Sequence, residues 1–478
     1  MIPEQPHVSY WEASPFFQRL CRRKLGDAAW KCAEPQLRSM GERAAIEVAP
    51  LAPIADRNPP RLVTHDPRGN RINAIEYHPA YREMAKIAYG SGMIAMKYTP
   101  HEHSREASFV SFALGYLFAM AEVGLYCPLC MTDGVARVLT HHGTREQIER
   151  IVPHLASTEL DSLWTGAMFL TERAGGSDVG ANETVARDGR LTGQKWFCSN
   201  VDAEVVLATA RPEGAEPGIR GIRTYLLLTR GNRGFTIDRL KDKLGVRSMP
   251  TGEVTLHDAP AEEIGDFHVI AEMMNYSRLY NSVAAVAVIG RAIHEARWYV
   301  ERRRAFGKRV IEFPMVEETL ASLEEQHHGA TLMTFECVDA LARADRGDAE
   351  AARLSRILIP IAKAVTGKLA VLVASECMEL VGGNGYIEEW PMARLLRDAQ
   401  VLPIWEGTTN ILMLDALRAA RKERGHELLL DRIRAHSDTR ALEDRIARAD
   451  ERSAREVVFA LAQAYQRALL AESFATVP

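Results

Sequence analysis

Neither a basic-then-apolar leader nor an apolar run near the roughly 18 residues of a membrane span is visible in this 478-residue sequence. It therefore carries no expectation of a secretory signal or a spanning helix. Cysteine is scarce and odd in number, seven residues scattered over the length. That fits reduced thiols and a cytoplasmic protein, not a disulfide framework. Neither charge sign dominates. Lys plus Arg number 59 and Asp plus Glu 63, a net charge of -4 that offers no global attraction for nucleic acid or anionic membrane. The GxGxxG of a dinucleotide fold is missing, as are internal repeats and low-complexity linkers. What remains is an ordinary globular composition, 47% hydrophobic and 26% charged, with length for two or three domains.

The periodicity changes twice. Residues 1–162 read as mainly helical after a Pro-rich start, with helices over 107–123, 132–139 and 146–155. Residues 163–268 read as a block of short strands bounded by Gly, Asp, Asn and Pro: 162–170, 193–199, 204–209, 224–228, 235–238 and 253–257. Helical spacing returns from 271 to 304, then at 314–343, 351–380 and 409–424. The tail, 425–478, reads as two amphipathic helices. The expected fold is thus α+β: a helical domain 1–162, a β-barrel-like domain 163–268, a helical bundle 269–424 and a helical tail.

Five stretches carry chemistry. In Pro403-Ile404-Trp405-Glu406-Gly407-Thr408-Thr409-Asn410, a carboxylate follows an apolar run and precedes a glycine. Desolvation of such a Glu raises its proton affinity and suits a general base, although a helix-start glutamate in a surface loop has the same pattern. Thr171–Gly180 (TERAGGSDVG) combines hydroxyls with glycines that let a ring or phosphate approach the backbone, or is a plain turn. Strict strand alternation in Gly193–Asn200 (GQKWFCSN) puts Phe197 and Ser199 on one face and Trp196 and Cys198 on the other. The first face suits a planar ligand, and a two-sided core strand fits as well. Glu301–Lys308 (ERRRAFGK) ends a helix with cations and a glycine cap, or reaches a phosphate. Gly382-Gly383-Asn384-Gly385 is a helix cap or an open backbone surface. Cys127–Cys130 is a CxxC, but a zinc site needs two further ligands, and His141-His142 lack the usual spacing. No metal site is expected. His327-His328 reads as a solvated helix face.

In this order the five stretches resemble the acyl-CoA dehydrogenase family of flavoproteins, over roughly residues 60–424. The resemblance is strongest to its AidB-like, alkylation-response branch, through Cys127-Pro128, Met131-Thr132, Lys241–Gly245, Lys195–Phe197 and Ile404–Gly407. It implies FAD as cofactor and an acyl-CoA as substrate. By position it implies Thr171 at the flavin pyrimidine edge and Ser177 near the pyrophosphate or acyl-CoA. Phe197 would lie over the ring system, where the family commonly has Trp, and Ser199 near N5, where it commonly has Thr. Thr408 would touch FAD. Arg303, Phe306 and the backbone of Gly382 and Gly383 would contact the FAD of a neighbouring subunit, which implies a dimer or a homotetramer built as a dimer of dimers. Glu379 stands where many members have Gln. Glu406 matches the base that removes a proton next to the thioester carbonyl, and Arg278 an arginine beside it. Some relatives carry the base at the position of Ser277, which has no carboxylate. Bulky Trp405 suggests short or branched acyl groups.

Two functions follow. One is FAD-dependent α,β-desaturation of an acyl-CoA, with electrons passing to an electron-transfer flavoprotein or to oxygen. The other is an alkylation-response protein that binds DNA or destroys alkylating agents. Residues 418–478 hold 12 Lys+Arg and 10 Asp+Glu, a difference of only +2, which lends DNA binding no support.

Overall fold

The computed structural model describes residues 8–98 and 105–475. The chain divides into two compact units, Met1–Ile46 with Ser104–Ala121 and Arg278–Pro478, and Glu47–His103 with Glu122–Ser277. The stretch expected to form one N-terminal domain is therefore shared between them.

The second unit is built on an eight-stranded sheet. At its centre Val205–Pro212 runs antiparallel to Arg223–Leu228 and parallel to both Gly166–Phe169 and Val185–Arg187. Val205–Ala210 is buried throughout, Thr209 included, as expected of a strand covered on both faces. Arg190–Ser199, Thr251–Pro260 and Phe235–Leu240 continue one side, and Glu262–Asp266 borders the other. Phe169, Cys198, Val206, Tyr225, Ile237 and Val254 share one core, so both halves of the sheet curl over the same apolar interior. Among the described residues the two border strands pair with one neighbour each, which leaves the sheet open.

A hairpin, Arg61–His65 with Arg71–Glu76, interrupts the stretch expected to be helical. Leu62 and Ile75 pack on the sheet core, and Asn73 Nδ2 donates to the Phe235 carbonyl at 2.9 Å. Beside the sheet, one helix spans Tyr126–His142, starting six residues before the expected Thr132. Pro128 lies in its first turn, where a missing N–H leaves no hydrogen bond unmade. Helix Arg145–Leu155 begins with a reciprocal Thr144–Gln147 capping box.

The first unit is helical. Its main elements are Phe267–Arg302 from Arg278 onward, Pro314–Ala344, Ala349–Val381 and Thr409–Glu423. Within Ala349–Tyr386 lies an apolar window long enough to cross a membrane, which the sequence reading overlooked. That window is 72% buried inside the protein, so it serves as a core helix. The tail forms three helices instead of two, His426–Arg434, Arg440–Arg448 and Ala454–Ala475. Asp450 and Ser453 break the expected Arg440–Arg455 helix by capping one another, each backbone N–H donating to the other's side chain at 2.9 Å. Arg432 fastens the tail to Pro314–Ala344 through Glu336 at 3.0 Å. His327 and His328 are not solvated. His327 Nε2 lies 3.0 Å from the Val286 carbonyl and His328 stacks on Phe16, and burial lowers their pKa values to about 3 and about 4.

Candidate active site

Glu406 lies in a turn between helix Pro391–Ala399 and helix Thr409–Glu423. Its φ is +57° and that of Gly407 is +103°, two successive left-handed residues. A non-glycine residue in this region costs about 1–2 kcal/mol and persists only where its surroundings hold it. Two buried cations do so. Arg278 Nε donates to the Glu406 carbonyl at 3.0 Å, and Lys363 Nζ to the Gly407 carbonyl at 2.6 Å. Arg278 also pairs with Asp415 at 2.9 Å, and Asp415 in turn takes Arg356 at 2.7 Å. The turn is thus stapled to helices on either side, while Glu406 itself is half-buried.

Burial lowers the pKa of Lys363 to about 7, against the Glu406 charge that raises it, with Arg278 adding to the lowering. Burial likewise lowers Arg278, opposed by Asp415 and Glu406. Thr408 precedes helix Thr409–Glu423 as its N-cap, yet its hydroxyl caps nothing. It is exposed and remains able to bind a ligand.

Elsewhere in this unit Arg303 follows helix Phe267–Arg302 directly, its N–H donating to the Tyr299 carbonyl at 2.8 Å. Gly307 is not the helix cap expected. Arg304–Ala305 pairs with Lys308–Arg309, and Phe306 and Gly307 form the two-residue turn at φ +50° and +85°. Positive φ at both central positions is what a type I′ hairpin requires. Phe306 is left 97% exposed at the tip. Gly382–Tyr386 forms a short 3-10 turn after Ala349–Val381, and Asn384 Nδ2 reaches the Tyr299 hydroxyl at 3.2 Å. The glycine turn and the arginine-rich helix end are therefore neighbours. Among the described residues, a Cβ at Gly382 or Gly383 would meet nothing within 4 Å, so they leave this backbone uncovered.

In the sheet unit the Thr171 carbonyl accepts the Trp196 N–H at 2.9 Å, which joins the glycine loop to strand Arg190–Ser199. The expected alternation fails at this point. A register shift between Lys195 and Cys198 places Cys198 in the core but leaves Trp196 half-buried and Phe197 55% exposed. A bulge of this kind re-aims side chains. It puts both aromatics outside the core, Trp196 with the Arg173 guanidinium 4.5 Å and the Lys241 ammonium 3.7 Å from its ring centre. Thr171 and Ser199 are part-exposed, and Ser177 is exposed on the loop.

Sequence reasoning missed what holds this loop. Glu172 and Lys195 form an ion pair at 2.5 Å, with 4% and 0% of their side chains exposed. Glu172 also accepts from the Glu183 amide and the Thr184 hydroxyl at 2.6 Å each, and Lys195 donates to the Thr209 carbonyl at 2.6 Å. Burial alone would raise Glu172, but Lys195 and these donors hold its pKa below the ordinary value. Lys195 is lowered by burial, with Glu172 opposing. A signal existed, a lysine before two aromatics in a strand and a glutamate beside the glycines. Lys363 had one too, as the sole charge in the apolar run Ile357–Val365. Ser277 is buried, with Cys130 Sγ 3.4 Å from its hydroxyl.

Three family models match this chain. Residues 267–420 match the acyl-CoA dehydrogenase C-terminal domain, 167–259 the acyl-CoA dehydrogenase middle domain, and 1–162 the adaptive response protein AidB N-terminal domain. The chain is 36% identical over 432 residues to acyl-CoA dehydrogenase family member 11 of Caenorhabditis elegans, covering 85% of this chain and 70% of that protein. It is 32% identical over 409 residues to the putative acyl-CoA dehydrogenase AidB of Escherichia coli K12, covering 81% and 74%. The crystal structure of C. elegans ACDH-11 in complex with C11-CoA superposes with a TM-score of 0.91 at 31% identity, covering 99% of this chain and 89% of that one.

Proposed function

The chain belongs to the acyl-CoA dehydrogenase family, and from that premise we propose that it is an FAD-dependent enzyme that desaturates an acyl-CoA thioester, with Glu406 as base. The observation that carries this reading is the left-handed turn at Glu406 and Gly407, with its two carbonyls held by Arg278 and Lys363. Strain retained by dedicated partners suits a group that must meet a reacting carbon in one orientation.

The side chains fit a flat, phosphate-bearing cofactor. Exposed Phe197 offers a ring to cover a heterocycle, and the hydroxyls of Thr171 and Ser199 offer polar contacts at its edge. The uncovered backbone of Gly382 and Gly383 offers amides without obstruction. Ser177 and Thr408 would bind its polar parts, whereas Arg303 and the Gly382–Gly383 backbone would contact the FAD of a neighbouring copy. When bound, FAD supplies the acceptor for the hydride leaving the β carbon.

The chain's own residues do the rest. Glu406 takes the proton from the α carbon as the Cα–Cβ double bond forms. Its backbone amide polarises the thioester oxygen, as an oxyanion hole does. Arg278 and Lys363 position the turn through its two carbonyls. Phe306, at 97% exposure, and Tyr386 and Met315, each at 80%, support association with further copies, as a dimer or homotetramer.

Anaerobic titration of the purified flavoprotein with straight, branched and aromatic acyl-CoAs tests this reading. Loss of the flavin's visible absorbance with enoyl-CoA formation is expected. No bleaching with any member of the panel would overturn it. C11-CoA belongs in the panel because the C. elegans relative carries it. Short or branched chains belong there because Trp405 sits beside the base. An electron-transfer flavoprotein is the acceptor to try first, against oxygen.

The match of residues 1–162 to the AidB N-terminal domain favours a second reading, an alkylation-response role involving DNA. Four of the tail's arginines are already engaged, since Arg432, Arg434, Arg440 and Arg445 lie within 3.0 Å of carboxylates, which lowers their availability to phosphates. A mobility shift with random duplex that disappears at moderate salt would restore it.

A further inference from the structure

His141 and His142 end helix Tyr126–His142, and both imidazoles meet one carboxylate, Glu272 on helix Phe267–Arg302. His141 Nδ1 lies 2.7 Å from Glu272 Oε1 and His142 Nε2 lies 2.7 Å from Oε2. Adjacent helical residues point about 100° apart, so two consecutive histidines rarely reach the same atom. Here the angle is bridged by chemistry. His141 uses its near nitrogen and His142 its far one, with the rings 6.2 Å apart at 71°.

We propose that His141, His142 and Glu272 bind one divalent transition-metal ion of the zinc type, with the remaining positions open to water. The three ligating atoms lie within 4.8 Å of one another. Four-coordinate zinc, with bonds of about 2.0–2.1 Å, needs ligand separations of about 3.3 Å, so small rotations of the imidazoles admit the ion. Two imidazoles and one carboxylate are a donor set that zinc takes where water must also reach it. The side chains are 38%, 36% and 25% exposed, which gives the ion a path from solvent. Arg137 Nε donates to Glu272 Oε1 at 2.8 Å and itself lies against the Tyr276 ring. It orients the carboxylate from behind, as outer partners of metal ligands do, and leaves Oε2 for the ion. On binding, the ion replaces the hydrogen atoms between the imidazole nitrogens and the carboxylate. Both histidines bind as neutral rings and keep an N–H on the nitrogen turned away, and any proton held by an imidazolium is released. The arginine's charge tempers affinity, so micromolar binding is expected, with copper(II) tighter than zinc.

The test is equilibrium dialysis of the flavin-loaded full chain against zinc chloride at neutral pH, in a Cys32→Ser background because Cys32 is the exposed thiol. One ion per chain is expected. His142→Ala should weaken binding at least tenfold, and Glu272→Gln should do the same. Cobalt(II) should give a visible spectrum without thiolate charge transfer in the parent protein, and lose it in His142→Ala. His142 is exposed, so its variant should keep the parent's melting temperature, which separates loss of a ligand from loss of fold. No uptake at 100-fold excess zinc over protein, or uptake equal in all variants, would overturn the proposal.

Discussion

Lys363 donates from Nζ to the Gly407 carbonyl oxygen at 2.6 Å, from a side chain that no solvent reaches. Burial lowers its pKa from 10.5 to about 7, so folding releases a proton between those values. Stability from this site therefore rises as pH climbs from about 7 towards 10.5, by at most about 1.4 kcal/mol per unit. Lys363→Met should lose that rise. The measurement is the unfolding free energy of the parent minus that of the variant across this range. A flat difference would contradict the assignment.

Glu406 carries both strain and chemistry, and two substitutions separate them. Glu406→Gln should keep bound FAD and lower kcat by about 10²–10⁴, the usual contribution of a positioned base. Glu406→Gly should be equally inactive but more stable than Glu406→Gln, which also lacks the charge facing Lys363 and Arg278, by about 1 kcal/mol, because glycine accepts φ +57° without strain. Stopped-flow bleaching and thermal unfolding read the two effects.

Arg278 spans the Glu406 carbonyl and Asp415 with one guanidinium. Lysine cannot make both contacts. Arg278→Lys should lower kcat more than it changes KM, while flavin content stays that of the parent. An unchanged kcat would remove Arg278 from the positioning of the base.

The buried Glu172–Lys195 pair should behave asymmetrically. Glu172→Gln leaves a buried unpaired ammonium, at a cost of about 3–5 kcal/mol, whereas Glu172→Gln with Lys195→Met should cost less. Glu172 has a depressed pKa, so its stabilisation is present above the ordinary 4.5 and is lost as pH falls through the folded value. Acid unfolding of the double variant should be correspondingly less steep. Chemical denaturation at pH 7 and pH 4 checks both statements.

Phe306 stands at the tip of a tight hairpin with nearly all of its surface in solvent. Phe306→Ser should leave the folding of one chain unchanged but weaken self-association and flavin retention together. Sedimentation and flavin absorbance after dilution distinguish this from a purely local role.

Much of this was legible in the sequence because the helix and strand periods are local. Phe267–Arg302, Pro314–Ala344 and Ala349–Val381 fall within a few residues of their expected ends, since their apolar faces repeat over many turns. Hairpin Arg61–Glu76 escaped notice because Arg61–His65 does not alternate and what stabilises the hairpin includes Phe235 and Ile237, more than a hundred residues away. The bulge at Trp196 and Phe197 escaped for a related reason. Strand register is set by the partner, and Thr251–Pro260 lies some sixty residues on.

By itself the sequence determined the order of helices, strands and helices, and the glutamate–glycine pair at 406 and 407, because composition and spacing write these into consecutive residues. Only the tertiary structure decided how the pair is held. The cations on its carbonyls come from positions 278 and 363, and the carboxylate facing His141 and His142 comes from 272. Such partners meet only after burial has paired charges that lie far apart along the chain, and no local pattern records that pairing.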